Sequence, residues 1–353
     1  MYIDIRLQNF RSYTDDSFEL SPNVNIIVGP NAIGKTNLLE ALLVSSRGSS
    51  YRVRDIDLIQ NNQDWARLES TTQDSKRILK IQKIGVDKVS KSYDINTNKT
   101  TRLNHNQILP TVLFEPNYLM LFIGSPELRR SFLDDILEQT IIGYKSLKIQ
   151  YKRALNQRNH LLKSINPTKQ NIFVWNIRLS EFGGRIFRER FKLVELLKQE
   201  TNNIYAALSN NDKTIDLAYD TKLKINNYES DLLHKLESNI SIDIERGFTA
   251  YGPHRDDLEV LVNGRTAKES ASRGETRSIL LALKINEAHI LEQLKNIKPL
   301  LLFDDVFSEL DGARRLALTK LIKEYQTFIT TTDADIVVRH FTKTANIIAL
   351  SKN

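Results

Sequence analysis

Gly29-Pro30-Asn31-Ala32-Ile33-Gly34-Lys35-Thr36 constrains the fold of this chain more than any other segment. It follows a short β-branched run, Val24–Val28, and precedes Asn37–Ser45, where Leu38, Leu39, Leu42 and Leu43 recur at helical spacing. Strand, loop, helix is the order of an α/β unit. The octet fits G-x-x-x-x-G-K-[ST] in the context that gives the pattern its meaning, which leaves little room for a chance glycine-rich turn. In such a loop, successive backbone N–H groups wrap phosphates and the helix N-terminus adds a favourable dipole. Lys35 is expected to reach the β- and γ-phosphates and the Thr36 hydroxyl to ligate Mg²⁺. Residues Gly29 to Thr36, with Asn37 beside them, are therefore expected to bind ATP and Mg²⁺.

A second piece is Leu300-Leu301-Leu302-Phe303-Asp304-Asp305. A buried strand that ends in a carboxylate can hold Mg²⁺ through a water, the role expected of Asp304. Asp305 is placed to polarise an attacking water. Apolar strands ending in aspartate are common, so the pattern gains force only beside the phosphate loop. The third piece, Ser270-Ala271-Ser272-Arg273-Gly274-Glu275, stands at a helix start that suits an anion. An ordinary serine N-cap explains the same residues.

The 353 residues suffice for about two or three folding units. With 41% hydrophobic and 26% charged residues, the chain can bury a core, which excludes a disordered tail. Zero cysteines exclude a disulfide framework, a thiolate zinc site and a cysteine nucleophile. No run approaches a membrane span and the charged N-terminus does not read as a signal peptide, so a soluble, cytoplasmic chain is expected.

The organisation follows periodicity. Ile3, Ile5 and Leu7 share a strand face, as do Phe18 and Leu20. From Pro126 apolar residues recur at three and four, interrupted at Asn166-Pro167, which predicts two long antiparallel helices. Gly183-Gly184 predicts either a kink in the second or close packing there. Strand patterning returns after about Ser241, with Leu258, Val260 and Val262 leading into the hairpin turn Asn263-Gly264. Helices are predicted over Ser278–Leu294 and Arg314–Glu324, and strands over Pro299–Phe303 and Thr327–Thr331. The fold expected is an α/β domain split in sequence, residues 1–120 and 241–353, with a helical arm, 121–240, inserted.

Lysine and arginine total 50 against 43 aspartate and glutamate, a net charge of +7. The surplus is concentrated in Thr140–Glu200, which holds 13 Lys/Arg against 4 acidic residues. A solvated helical face and a phosphate-binding surface explain it equally well. None of the 6 histidines has metal-ligand spacing, and His254 is expected to be structural.

In this order the pieces resemble the ABC-type ATPases, and more closely their SMC-like branch. On that resemblance Ser272-Arg273-Gly274-Glu275 is the signature motif, acting in trans, and Ser308-Glu309-Leu310-Asp311 is the D-loop, with Ser308 and Asp311 its site residues. Asn9-Phe10-Arg11-Ser12-Tyr13 is the opening motif, whose Arg11 approaches the nucleotide. Tyr251-Gly252-Pro253-His254-Arg255-Asp256-Asp257, Val112-Leu113-Phe114-Glu115-Pro116 and Arg129-Arg130-Ser131-Phe132-Leu133-Asp134 are similar to blocks of the RecF family. The resemblance spans essentially the whole chain. It implies recombinational repair of gapped DNA, with double-stranded and gapped DNA bound by an ATP-dependent homodimer. RecR, RecO and RecA are the implied partners, with no membrane involved and a location at the nucleoid. Lys145, Lys148, Lys152 and Arg153 of the basic arm are the DNA contacts expected.

Asp305 stands where ABC-type ATPases usually have glutamate, and Thr332 of Thr330-Thr331-Thr332 where a switch histidine would follow. Both imply slow hydrolysis. Glu115 to Asn117 is the placement for the glutamine loop. Two rivals compete: a transporter ATPase subunit, which would lack the Asn9–Tyr13 opening and the basic arm, and an SMC-like chromosome-structuring protein, which needs a far longer coiled coil.

Overall fold

Three runs that read as buried strands lie in one parallel sheet. The computed structural model describes residues 1–115, 118, 120–164, 169–209, 211–333 and 345–351. The sheet has the order β14 (Asn346–Ala349), β3 (Val24–Val28), β13 (Thr327–Thr331), β12 (Leu300–Asp304), β8 (Thr111–Phe114), every pair parallel. Burial on both faces explains why β12 reads as an unbroken apolar run rather than an alternation. Helix α1 (Lys35–Arg47) buries Leu38, Leu39, Leu42 and Leu43 against this sheet and a second one.

The second sheet is antiparallel, ordered β2 (Tyr13–Glu19), β1 (Tyr2–Phe10), β4 (Trp65–Thr72), β5 (Lys76–Lys83), β6 (Val89–Ile95), β7 (Asn98–Thr100). Gln326 ties the sheets together: its amide donates to the Tyr2 carbonyl at 2.7 Å and accepts from the Tyr2 N–H at 2.7 Å. The predicted shared face of Ile3, Ile5 and Leu7 is corrected at Ile3. A register shift between Tyr2 and Asp4 marks a bulge, which turns Ile3 outward and Tyr2 into the core.

Cα packing divides the chain into two units, residues 1–118 with 287–353, and 119–286. The expected boundary at 120/121 lies beside the first division, whereas that at 240/241 does not coincide with the second. Residues 241–286, signature loop included, group with the arm.

The second unit contains α2 (Met120–Ile123), α3 (Pro126–Thr140), α4 (Tyr144–Leu162), α5 (Lys169–Leu208), β9 (Ile215–Asp220), α6 (Tyr228–Ser238), α7 (Ile240–Arg246), β10 (Asp257–Val262), β11 (Arg265–Thr266) and α8 (Ala267–Ser270). Helix α9 (Arg273–Lys295) starts in it, and α10 (Gly312–Ile322) belongs to the first unit. The first predicted arm helix is two helices, because Gly143 adopts φ 82° between α3 and α4. Arg158 of α4 bonds Asn176 of α5, while Tyr144 and Arg190 meet on one carboxylate, so α4 and α5 run antiparallel. Asn166-Pro167 lies outside the described residues. At Gly183-Gly184 close packing is the outcome: α5 is continuous, and a Cβ on Gly184 would stand 2.9 Å from the Glu229 side chain of α6. Strand structure returns earlier than expected, as β9 within the arm predicted to be helical, and then again only at Asp257, since residues 240–246 form α7.

Candidate nucleotide site and the hub of the second unit

The phosphate loop spans the short gap between β3 and α1. Gly34 takes φ 116°, and a Cβ there would lie 2.8 Å from Ser12 Oγ. Gly29 is restricted by approach alone, since its Cβ would meet the Leu350 carbonyl at 2.8 Å. Ala32 holds φ 63°. No side chain caps α1 and no acid stands in its first turn, so its leading amides remain available to an anion. Lys35 Nζ donates to the carbonyls of Gly29 at 2.7 Å and Pro30 at 3.0 Å, which bends the lysine over the loop. Pro30, Asn31 and Ile33 lie in the same turn, and the Asn37 amide donates to Ser12 Oγ at 3.0 Å.

Sites 268 residues apart in sequence converge here. Thr36 Oγ1 donates to Asp304 Oδ1 at 3.0 Å, and Thr330 Oγ1 donates to the same oxygen at 2.8 Å. A hydroxyl beside a carboxylate is a hard-oxygen set that fits Mg²⁺ completed by phosphate oxygens and water. Among the described residues no group of three or more His, Asp or Glu could hold a metal. Asp305 adopts φ 53°, and its Oδ1 is buried with no hydrogen-bond partner among the described residues. Ser308 Oγ donates to the Asp305 carbonyl at 2.6 Å, and Asp311 caps α10 by accepting from the Arg314 N–H at 2.9 Å. Thr332 is exposed just beyond β13; it is Thr330 that reaches the paired aspartates.

Arg11, expected at the nucleotide, forms an ion pair at 2.8 Å with the wholly buried Glu40 of α1 and donates to the Asp57 carbonyl at 3.0 Å. Of the glutamine-loop placement only Glu115 is described; Pro116 and Asn117 lie outside the described residues.

Ser272 caps α9. Its N–H donates to Glu275 Oε2 at 2.8 Å and its Oγ accepts from the Glu275 N–H at 3.3 Å, a reciprocal box. The hydrogen bond from Lys213, then that from the Ser272 N–H, holds the Glu275 carboxyl below its usual range. Ser272 and Arg273 are nonetheless exposed, with Gly274 partly so.

The arm's basic count needs correction. Arg158 and Arg190 are buried, and Lys148 is paired at 2.9 Å with both Asp134 and Glu138. Lys148 therefore serves the fold, because a phosphate would have to displace two carboxylates. Lys145, Lys152 and Arg153 are exposed.

The block Tyr251–Asp257 and the Arg129–Asp134 block form one polar hub. Arg190 grips both oxygens of Asp134 at 2.9 and 3.0 Å and donates to the Pro253 carbonyl at 2.6 Å. Burial raises the Asp134 carboxyl, but the charge and hydrogen bonds of Arg190 outweigh it, so it lies below its usual range. Asp256 accepts from Tyr219, Tyr228 and Thr221 at 2.9, 2.6 and 2.7 Å; burial still lifts its carboxyl above the ordinary value. Arg129 holds Asp257 through two bonds of 2.8 and 2.7 Å. His254 stands 2.7 Å from the Tyr151 hydroxyl and 3.1 Å from the Thr249 carbonyl. The carbonyl can only accept, so Nε2 carries the proton and Nδ1 accepts from Tyr151. Burial pushes His254 down to about 4, the neutral state this network requires. Gly252, at φ 128°, is needed because a Cβ would stand 2.6 Å from the Tyr151 hydroxyl.

A phosphate loop, a carboxylate strand beside it in a parallel sheet and an inserted arm define an ABC-type ATPase head of the SMC kind. The RecF/RecN/SMC N-terminal domain model matches residues 2–352. The DNA replication and repair protein RecF of Clostridium botulinum is 36% identical over 362 residues, covering 100% of this chain and 98% of that protein. That of Lysinibacillus sphaericus is 34% identical over 349 residues, 95% and 94% of the two chains. A solved structure of the recombination mediator protein RecF–ATP in the RecFOR pathway shares 29% identity at TM-score 0.82, covering 94% of this chain and 92% of that one. An SMC head bound to the C-terminal winged-helix domain of ScpA has TM-score 0.53 at 18% identity, covering 95% and 91%, a likeness of fold alone. The chain belongs to the RecF family.

Proposed function

We propose that this chain is an ATP-dependent, DNA-binding ATPase of recombinational repair, active as a homodimer at gapped DNA. The observation that carries this reading is the meeting of Thr36 and Asp304 at the phosphate loop, with Asp305 next in the chain and one of its oxygens without a hydrogen-bond partner among the described residues. Lys35 and the loop amides bind the triphosphate. Mg²⁺ held at Thr36 and Asp304 would draw negative charge from the β- and γ-phosphates. Asp305 Oδ1 accepts a hydrogen bond from the attacking water and orients it. A carboxylate one methylene shorter than glutamate, with no histidine in the switch position, supports slow hydrolysis that times release rather than driving motion.

The signature Ser272 of one chain would meet the γ-phosphate held by Lys35 of another, giving two composite sites per symmetric dimer. ADP lacks that bridging phosphate, so ATP closes the dimer and hydrolysis opens it. Exposed Lys145, Lys152 and Arg153 supply backbone contacts to duplex and gapped DNA without base reading. The names of the relatives, a replication and repair protein and a mediator of the RecFOR pathway, support RecO and RecR as partners, with RecA acting downstream. No helix among the described residues is long and apolar enough to cross a membrane, and a DNA-binding role supports a cytoplasmic location at the nucleoid.

Fluorescence anisotropy on gapped duplex, with ATP and with ADP, tests the reading. ATP should tighten binding, and reversing Lys145, Lys152 and Arg153 to glutamate should weaken it for every sequence and flatten its salt slope by about three phosphate contacts. Equal binding with both nucleotides and an unchanged slope would sink the proposal.

A further inference from the structure

We infer that Thr330 is a positioning residue for hydrolysis, setting the backbone from which Asp305 reaches the attacking water; the inference rests on the role proposed for Asp305. Thr330 is fully buried on β13, directly paired with Asp304 of the neighbouring strand. A hydroxyl has one proton to give and lone pairs to accept with. Thr330 uses both: Oγ1 donates to Asp304 Oδ1 at 2.8 Å and accepts from the Asp305 N–H at 2.9 Å. The competing acceptor, the Phe303 carbonyl, is 3.5 Å away. The two other threonines of β13 close only local turns, Thr327 on Tyr325 and Thr331 on Asp333.

The Asp305 N–H needs such an anchor. At φ 53° the residue lies in the left-handed region, which a side chain with a Cβ disfavours. Thr330 holds the amide on one side and Ser308 holds the carbonyl on the other. The turn they impose ends the direction of β12 and leaves Asp305 Oδ1 buried, with no hydrogen-bond partner among the described residues. An aspartate has little side-chain reach, so where its carboxylate arrives is decided by the backbone that carries it. Thr330 touches neither phosphate nor water in this scheme; it acts through Asp305.

Thr330→Val preserves shape and removes the hydroxyl, while Thr330→Ser restores it. At saturating Mg²⁺ the valine variant should bind labelled ATP within about 3-fold of wild type yet hydrolyse it roughly 10- to 100-fold more slowly, and serine should recover most of the rate. Hydrogen exchange of the peptide containing Asp305, read without nucleotide, should quicken in the valine variant and not in the serine one. Thr330→Val combined with Asp305→Asn should be no slower than Asp305→Asn alone, as expected of residues acting in series. Wild-type turnover by Thr330→Val, or a further tenfold loss in the double variant, would overturn the inference. Asp305→Asn turning over at the wild-type rate would instead overturn the role of Asp305, and the exchange data would then decide separately whether Thr330 holds that backbone.

Discussion

The nucleotide site and the hub of the second unit are both built from dense polar motifs, and they treat polar atoms in opposite ways. At the nucleotide site two residues that carry side chains, Ala32 and Asp305, occupy left-handed backbone, and Asp305 keeps an oxygen without a hydrogen-bond partner among the described residues. In the hub, Asp134 is shared by Arg190, Tyr144 and Lys148, Asp256 accepts three hydroxyls, and His254 is bonded at both nitrogens. Strain and unmet valence mark a place prepared for something outside the chain. A closed network marks a place that holds the chain together. Charge density in the sequence does not distinguish the two.

Breaking the hub should have the largest effect on stability. Arg190→Ala leaves Asp134 buried without its main counter-charge and should cost about 3–5 kcal/mol. Denaturant melting measures this, and the molecules still folded should bind ATP with wild-type affinity. A loss under about 1 kcal/mol would show that the second unit does not depend on this hub.

At the nucleotide site the pattern should reverse. Among the described residues Lys35 bonds only carbonyls of its own loop, so Lys35→Ala should leave the nucleotide-free melting midpoint nearly unchanged. ATP affinity should fall by roughly 100-fold, about 2.7 kcal/mol, because the triphosphate loses its main cation. Titration with a labelled nucleotide checks it. Wild-type affinity in the variant would remove the phosphate-loop assignment and with it the contrast between the two regions.

The difference also explains what could be read before the structure. Phosphate binding depends on local backbone, so Gly29 to Thr36 between a strand and a helix was legible as a contiguous pattern. So was β12, whose apolar run reports burial on both faces, and β13 was legible from its β-branched residues. Thr330 was not legible, because its partners come into reach only through the pairing of β12 with β13. The hub was visible as motifs but not as a structure, since Arg190 lies 56 residues from Asp134 along the chain. Its signal was that residues 129–134 and 251–257 each hold arginine together with aspartate, a composition that solvated faces share. The basic arm misled for a related reason: counting charges cannot tell that Arg158 points inward to Asp243. Ile3 escaped because a bulge breaks the period of two on which its placement rested.

Ser272 belongs to both categories, and it offers the finest test of the contrast. As the cap of α9 it is a satisfied structural residue; as an exposed signature serine it would meet the γ-phosphate on a second chain. Alanine removes both roles and should lower stability by about 1 kcal/mol. Aspartate separates them, because a carboxylate caps a helix as well as a hydroxyl does but repels a phosphate. Ser272→Asp should therefore melt within about 0.5 kcal/mol of wild type and bind ATP normally as a monomer, yet fail to dimerise. Light scattering with ATP and with ADP, on wild type and on both variants, reads the outcome. If the aspartate variant dimerises with ATP as wild type does, Ser272 is a helix cap and the second half of the composite site must be sought elsewhere.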